Sequence, residues 1–173
     1  MKNLDNVKFH GLLNQCIHLR QMEEVPGIRV STHDILGRMF SEYKHTEIFN
    51  GEKVHYHDWS MFDDSHEKIA TFTVYTYDDD PSTAYFSDFI VKETLRGNGI
   101  GGFIISNISH FIPTECGRVY LWVQKSKSSK ALSADVLIPW YERHGFEQVP
   151  DLEEEDCVWL IKQITKISEN QTK

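Results

Sequence analysis

The stretch that decides the fold runs from an apolar strand through a glycine-rich turn into a helix: Ile90-Val91-Lys92-Glu93-Thr94-Leu95-Arg96-Gly97-Asn98-Gly99-Ile100-Gly101-Gly102. Apolar residues then recur at helical spacing until Pro113. Glycines let a ligand approach the backbone, and the first N–H groups of a helix lack intrahelical partners and carry partial positive charge. Such a turn suits a phosphate or pyrophosphate. The alternative is a tight turn that only starts the helix, which the clustered glycines disfavour because a glycine inside a helix costs about 1 kcal/mol.

Upstream of this stretch we expect two helices followed by three strands. Residues 6–22 have apolar side chains at helical spacing and predict an amphipathic first helix. Ser31 and Asp34 stand at capping-box spacing ahead of Ile35, which predicts a second helix. The expected strands are Lys53–Trp59, Lys68–Tyr77 and Ala84–Val91, the last two joined as a hairpin by the turn residues 78–82.

Downstream, the pattern predicts a strand, a helix and a closing hairpin. In order these are the strand Arg118–Val123, a polar loop at 125–133, a helix at 135–144 ended by Gly145, and the hairpin strands Phe146–Val149 and Cys157–Ile164 around an acidic loop at 151–156. This order predicts an α/β (α+β) fold with a central mixed β-sheet flanked by helices. One domain spans residues 1–167, and residues 168–173 form a frayed tail.

Composition narrows the class of protein. The chain has 173 residues, enough for one domain with its own core, and a net charge of −8. Negative charge repels nucleic-acid phosphates and favours a cationic small molecule or a basic protein tail as the guest. No apolar run reaches the roughly 20 residues of a membrane span, and the N-terminus does not resemble a signal peptide. Cys16, Cys116 and Cys157 lie far apart and indicate reduced thiols in a cytoplasmic protein.

A different nucleotide site also matches the glycines. Gly97-x-Gly99-x-x-Gly102 fits the dinucleotide-binding fingerprint of NAD(P)-dependent oxidoreductases. That site needs an acidic residue about 20 residues further on, at the end of the next strand. Residues 122–125 are Trp-Val-Gln-Lys, without a carboxylate, so this interpretation stays a distant alternative. A phosphate-binding P-loop needs Gly-Lys-Ser/Thr after the turn, which the sequence lacks.

Paired histidines raise the question of a metal site. His55-x-His57 is followed by Asp63, Asp64 and His66. Alternate residues of a strand share a face, so His55 and His57 lie on one side. No further ligand spacing accompanies them, and we therefore expect no metal.

Two motifs resemble the signatures of the GNAT superfamily of N-acetyltransferases. Val91-x-x-x-x-Arg96-Gly97-x-Gly99-Ile100-Gly101 is similar to that family's acetyl-CoA loop, and Tyr141-x-x-x-Gly145-Phe146 is similar to its second signature, at the end of the following helix. With the element order, the resemblance covers about residues 6–164. It implies the acyl-CoA N-acyltransferase fold, with the sheet splayed between strands 84–91 and 118–124. It also implies acetyl-CoA as co-substrate, direct attack by an amine, and no metal.

The resemblance also implies roles for particular residues. The amides of the turn are expected to cradle the pyrophosphate: Arg96, Gly97, Asn98, Gly99, Ile100 and Gly101, with Gly102 where the family commonly has a hydroxyl residue. The backbone of Phe89, Ile90 and Val91 is expected to pair with the pantetheine arm. Tyr141 is the expected proton donor to the departing thiolate, and packing is its alternative role. Asp88 is the preferred base, ahead of Glu93, with Ser87 able to orient a water.

The acceptor is the least specified part of this interpretation. Phe72–Asp80 and Tyr85–Val91 resemble the diamine branch of the family, with Ser87 where that branch has a glutamate proposed as base. Together with the negative charge, this favours a small cationic, polyamine-like acceptor. A protein or peptide amine, and a non-catalytic acetyl-CoA-binding module, are the alternatives. The family's acceptor side corresponds to helices and loops at about residues 20–66. A monomer and a homodimer both stay open.

Overall fold

Eight β-strands and two α-helices occur in the part of the chain that the computed structural model describes, residues 29–125, 132–152 and 156–165. The strands are β1 (Arg29–Ile35), β2 (Arg38–Phe49), β3 (Glu52–Phe62), β4 (Lys68–Tyr77), β5 (Thr83–Val91), β6 (Arg118–Gln124), β7 (Glu147–Gln148) and β8 (Cys157–Gln163). The helices are α1 (Ile100–Ser106) and α2 (Ala134–Glu142), with short 3-10 turns at Glu93–Leu95, Ile108–His110 and Pro150–Leu152. Within these residues no helix is long and apolar enough to span a membrane.

The strands form one mixed sheet in the order β1-β2-β3-β4-β5-β6-β8-β7. β5 and β6 are parallel neighbours, and the other neighbouring strands in the described residues are antiparallel. A parallel pair needs a crossover connection, which contains α1. Residues 83–85 of β5 pair with residues 118–120 of β6, and beyond them the two strands separate. The predicted mixed sheet and its splay between strands 84–91 and 118–124 are confirmed.

The predicted second helix is wrong, because residues 29–49 form the hairpin β1–β2. Leu36 and Gly37 make its two-residue turn, with φ angles of +52° and +76°. Two positive φ angles fit the tight turn of an antiparallel hairpin and exclude a helix. The Gly37 amide donates a hydrogen bond to Asp34 Oδ1 at 2.8 Å, so Asp34 acts as a turn residue and not as a helix cap. Five described strands, not three, therefore precede the glycine turn.

β2 and β3 form a second hairpin. Asn50 and Gly51 make its turn with φ angles of +52° and +86°, the conformation that an Asn-Gly hairpin turn adopts. The expectation of helices and loops over residues 20–66 is therefore wrong for residues 29–49, which form two strands joined by a tight turn, and the predicted strand Lys53–Trp59 is confirmed within β3. Several predictions fall outside the described residues: the helix at 6–22, the tail at 168–173, Cys16, most of the 125–133 loop and residues 153–155 of the acidic loop.

Other predicted elements are confirmed with adjusted ends. β4 and β5 form the expected hairpin, and β7 pairs with β8 as the closing one. α2 is followed by Gly145, whose φ is +83° and whose amide donates to the Glu142 carbonyl at 2.9 Å. α1 stops well before Pro113: Asn107 Nδ2 donates to the Phe103 carbonyl at 2.8 Å, and a 3-10 turn follows.

The core lies between one face of the sheet and α1. Phe40, Phe72 and Phe111 are each at most 1% exposed, and the Phe111 ring lies 4.9 Å from that of Phe40 and 5.0 Å from that of Phe72. Ile104 and Ile105 of α1 are fully buried in the same cluster. Burying a side chain of this size contributes roughly 1.5–3 kcal/mol relative to leaving it exposed. The packing fixes α1, and with it the glycine turn, against the sheet.

Candidate functional site

A β-bulge in β5 lies beside the opening between β5 and β6. The register against β4 shifts between Thr71, which pairs with Ile90, and Thr73, which pairs with Ser87. Two residues of β5 therefore stand opposite one residue of β4, and one of the two is Asp88. Its φ is +51°, which is uncommon for a residue other than glycine, and its Oδ2 accepts a hydrogen bond from Ser87 Oγ at 3.0 Å. Bulges re-aim side chains next to active sites, and this one holds an exposed carboxylate beside the opening.

Gly97 and Gly99 give the turn its shape. Their φ angles are +83° and +78°, which glycine adopts without strain, and a Cβ on either would meet nothing within 4 Å. The open side leaves the backbone approachable. The amides of residues 100–102 belong to the first turn of α1, where N–H groups have no intrahelical partners. Arg96 Nε donates to the Val91 carbonyl at 3.2 Å and ties the turn to the end of β5.

Two of the expected cradle amides are already used. The Arg96 amide donates to the Glu93 carbonyl at 3.2 Å, and the Asn98 amide donates to the Leu95 carbonyl at 3.4 Å. The amides of residues 97 and 99–101 are the ones that the turn presents for a ligand. The donor set fits a pyrophosphate, because clustered main-chain N–H groups at a helix start carry partial positive charge.

Gly101 and Gly102 have another role, since they let α2 pack against the start of α1. A Cβ on Gly101 would lie 3.4 Å from Trp140 Cζ2 and 3.6 Å from Phe89 Cζ. A Cβ on Gly102 would lie 3.4 Å from His144 Nε2. The glycine turn, the bulged end of β5 and the helix α2 therefore meet at one point. Gly102, expected where the family commonly has a hydroxyl residue, also lies against His144.

Tyr141 follows Trp140 on α2 and is 7% exposed. Its ring centroid lies 4.8 Å from that of Trp140 and 5.6 Å from that of Phe146. Burial raises the pKa of the Tyr141 phenol above its ordinary value, because the phenolate is poorly solvated there. The hydroxyl therefore keeps its proton through the neutral range and remains a donor.

The predicted residues lie on elements that adjoin one another at the open end of β5. On the side away from β4, residues 89–91 of β5 pair with no strand in the part of the chain that the structure describes, and Ile90 is 59% exposed there. The glycine turn follows β5 directly. Trp140 of α2 packs against Gly101, and Tyr141 is the next residue on the same helix. Glu93 is exposed in the 3-10 turn after β5, so it lies on the turn and not on the bulge with Asp88.

A separate polar cluster lies at the far end of α1. It borders a cavity of about 640 Å³ whose lining includes His33, Glu42, His57, Trp59, His110 and Glu115. Glu42 is 3% exposed and lies 2.7 Å from His57 Nδ1, 3.1 Å from His33 Nε2 and 3.2 Å from Lys44 Nζ. Burial acts to raise the pKa of Glu42, but the hydrogen bonds from His57 and Lys44 outweigh it and lower the pKa to about 2. The sequence predicts a helix at Glu42 and so misses this cluster, which no motif marks.

Both histidines of the His55-x-His57 pair on β3 have hydrogen-bond partners. His57 bonds Glu42, while His55 Nε2 lies 2.7 Å from Asp78 Oδ1 and His55 Nδ1 lies 3.1 Å from Thr46 Oγ1. Across residues 29–125, 132–152 and 156–165, no group of three or more His, Cys, Asp and Glu side chains is placed to hold a metal ion. These histidines are thus engaged in hydrogen bonds across the strands of the sheet.

The sequence was compared with protein-family models and with known proteins. Residues 28–146 match the model of the Acetyltransferase (GNAT) family, a span that includes the bulge, the glycine turn and Tyr141. No curated protein matches the sequence significantly.

Solved structures share the fold at low sequence identity. An acetyltransferase from Thermus thermophilus superimposes with a TM-score of 0.51 and 15% identity, over 63% of this chain and 64% of that one. A mutant of the spermidine N-acetyltransferase SpeG from Vibrio cholerae superimposes with a TM-score of 0.51 and 17% identity, over 62% of this chain and 65% of that one. An acetyltransferase of the GNAT family from Staphylococcus aureus superimposes with a TM-score of 0.50 and 12% identity, over 64% of this chain and 69% of that one. At these identities the likeness is one of fold.

Proposed function

Because the chain belongs to the GNAT family of acetyltransferases, we propose that it transfers the acetyl group of acetyl-CoA to a primary amine, with a small cationic amine as the acceptor. The observation that carries this proposal is the opening between β5 and β6, bordered by the glycine turn and by the bulge at Asp88. An unpaired strand edge beside a turn with exposed amides offers an extended, phosphate-bearing ligand two kinds of contact at once.

The glycine turn and β5 hold the co-substrate in this proposal. The amides of residues 97 and 99–101 bind the pyrophosphate, since positive φ angles and the open side of Gly97 and Gly99 turn the backbone toward it. The backbone of residues 89–91 pairs with the pantetheine arm as a neighbouring strand would, because β6 does not occupy that edge. This places the thioester end beside the bulge.

Asp88 is the proposed base for the attacking amine. An alkyl ammonium with a pKa near 10.4 lies about 3.4 units above pH 7, so freeing the amine costs about 4.6 kcal/mol. Asp88 accepts that proton directly or through a water, and the hydrogen bond from Ser87 orients its carboxylate. Glu93 is the second candidate, because it is exposed on the following turn.

Tyr141 is the proposed proton donor to the thiolate that leaves as the amine attacks. Its raised pKa keeps the hydroxyl protonated until negative charge develops on the sulfur. Gly101 and Trp140 hold α2 against the turn and so fix the neighbouring Tyr141 relative to the opening. A hydrogen bond that strengthens as the thiolate forms lowers the barrier without tightening binding of the ground state.

Charge supports a cationic acceptor. The chain carries a net charge of −8, which attracts a protonated amine before the reaction and repels anionic amines. The test is a thiol-release assay with acetyl-CoA across polyamines, aminoglycosides and lysine-containing peptides, at low and high salt. We expect polyamines to react fastest, at rates that fall as salt rises. A neutral or anionic amine as the best substrate contradicts the acceptor class. Tight acetyl-CoA binding without turnover of any amine identifies a binding module instead.

A further inference from the structure

An aromatic row crosses the face of the sheet that is turned away from α1. On β4, Phe72 and Val74 point into the core, so Thr73 and Tyr75 point to the opposite face. The row occupies paired positions on five neighbouring strands: His45, Tyr56, Tyr75, Tyr85 and Tyr120. Successive ring centroids are 4.9, 5.6, 5.1 and 5.9 Å apart, and every member is partly exposed. The row is thus a continuous aromatic surface from β2 to β6.

The row passes beside the proposed reaction site. Tyr85 and Tyr120 are the last pair before β5 and β6 separate. Ser87 follows Tyr85 by two residues and therefore points to the same face, where its hydroxyl bonds Asp88. A molecule that lies along the row, turns at Tyr85 and follows β5 past Ser87 therefore reaches the bulge with its end, on the face opposite α1.

Carboxylates flank the row. His45 lies 3.5 Å from Glu47 and 3.5 Å from Asp58, and the Asp58 carboxylate also accepts a hydrogen bond from Thr73 Oγ1 at 2.6 Å. Burial raises the pKa of Tyr75, and the charge of nearby Asp88 adds to the shift. These contacts put negative charge beside the row on the β2–β3 side and at the bulge.

Arg118 also adjoins the row, and its charge is paired. Arg118 lies with Cζ 6.0 Å from the Tyr120 ring and bonds Asp80 Oδ2 at 3.2 Å. Its charge is therefore offset by Asp80. Aromatic cross-strand pairs stabilise a sheet, so the row could serve packing only. A packing role does not require carboxylates beside a partly exposed row, and it does not explain why the row passes beside the opening.

We propose that this row, flanked by Glu47, Asp58 and Asp88, binds the acceptor, a linear oligoamine whose primary amine reaches the bulge. Ammonium groups along the chain contact the tyrosine rings and the carboxylates, which attract cations by cation–π and Coulomb interactions. The inference rests on the proposed acetyl transfer and assigns the substrate class to a surface of the fold. Amine length becomes the specificity determinant, because a short amine contacts only the end of the row.

Tyr56 tests the row most cleanly, because it lies on β3, two strands away from the bulge on β5. The variants are Tyr56→Leu, which removes the aromatic ring, and Tyr56→Phe, which keeps it. The probes are spermidine and butylamine, each assayed with saturating acetyl-CoA. We expect Tyr56→Leu to raise KM for spermidine about three- to tenfold, with kcat and the KM for butylamine unchanged. Tyr56→Phe should keep most of the spermidine affinity.

A structural role for Tyr56 makes a different prediction. Equal changes in KM for spermidine and butylamine, or no change for either, would overturn the proposal. It would also be overturned if a lysine-containing peptide is the preferred acceptor and Tyr56→Leu leaves the rate with that peptide unchanged. If Tyr56→Leu does not fold, Asp58→Asn carries the same test, since it removes a flanking charge and keeps an oxygen for Thr73. Absence of turnover with both amines in the unmodified protein would instead contradict the proposed acetyl transfer.

Discussion

Ser87 Oγ donates a hydrogen bond to Asp88 Oδ2 at 3.0 Å, within a bulge where Asp88 holds a left-handed backbone with φ of +51°. Asp and Asn tolerate this conformation better than most residues because their short polar side chains bond locally. The backbone thus fixes a carboxylate beside the opening between β5 and β6. Asn would adopt the same backbone conformation as Asp88 but would lack its negative charge. Replacing Asp88 by Asn therefore distinguishes a catalytic role of the carboxylate from a structural one.

Asp88→Asn should lower kcat/KM at pH 7 by about 10²-fold if the carboxylate is the base. The loss should shrink as the pH rises toward the pKa of the amine, because a free amine needs no base. The measurement is a pH–rate profile of both proteins, with Glu52→Gln, an exposed carboxylate at the start of β3, as the control. A change smaller than threefold, or one that is equal at every pH, would show that Asp88 is not the base.

Gly99→Asp should abolish acetyl-CoA binding, because it places bulk and negative charge beside the pyrophosphate amides. Gly51→Asp is a matched control: Gly51 also has a positive φ, +86°, and a Cβ there would also meet nothing within 4 Å. Both variants carry similar backbone strain, so calorimetric titration with acetyl-CoA isolates the effect at the turn. Equal affinities for the two variants would contradict the assignment of the turn.

Tyr141→Phe keeps the buried ring and removes one donor, so the fold should survive. We expect kcat to fall by about 10²–10⁴-fold with little change in acetyl-CoA affinity, because the donated bond strengthens only as the thiolate forms. The comparison requires that the two proteins have matched melting temperatures. If kcat changes less than threefold, Tyr141 serves packing alone.

Glu42→Gln should destabilise the fold at neutral pH, on the order of 2 kcal/mol, because the carboxylate is stabilised by His57 and Lys44. The folded-state pKa of about 2 lies below the usual value of 4.5. The contribution of the Glu42 carboxylate to the free energy of unfolding is therefore fully present above about pH 4.5, and it is lost as the pH falls toward 2. Urea unfolding of both proteins across this range checks the sign. A stability difference that stays constant down to about pH 3 would contradict this account of Glu42.

Local chemistry explains which parts of the fold the sequence predicts. The turn at Gly97 and Gly99 and the C-terminal cap at Gly145 each depend on a positive φ that glycine supplies, so neighbouring residues suffice to identify them. The hairpin β4–β5 depends on turn residues between two alternating strands. The capping-box spacing of Ser31 and Asp34 is equally local but ambiguous, since Asp34 stabilises a hairpin turn with the same side chain.

Features of the site that depend on the register between strands cannot be predicted from local sequence patterns, because they arise from residues far apart in the chain. The bulge at Asp88 exists only because β5 slips against β4, and the aromatic row exists only because residues on five strands pair in line. Glu42 likewise gains His33 from β1 and His57 from β3. The sequence offers Asp88 as a candidate base through the family resemblance, but not the conformation that aims its side chain.

Amine-dependent release of thiol from acetyl-CoA tests the central claim most directly. With spermidine as acceptor, free thiol and acetylated amine should form in equal amounts, as followed by a thiol reagent and by mass spectrometry of the product. Excess NADH should leave the rate unchanged, because the turn is assigned to acetyl-CoA. No amine-dependent thiol release with any polyamine, aminoglycoside or lysine-containing peptide, or binding of NADH in preference to acetyl-CoA, would contradict the account.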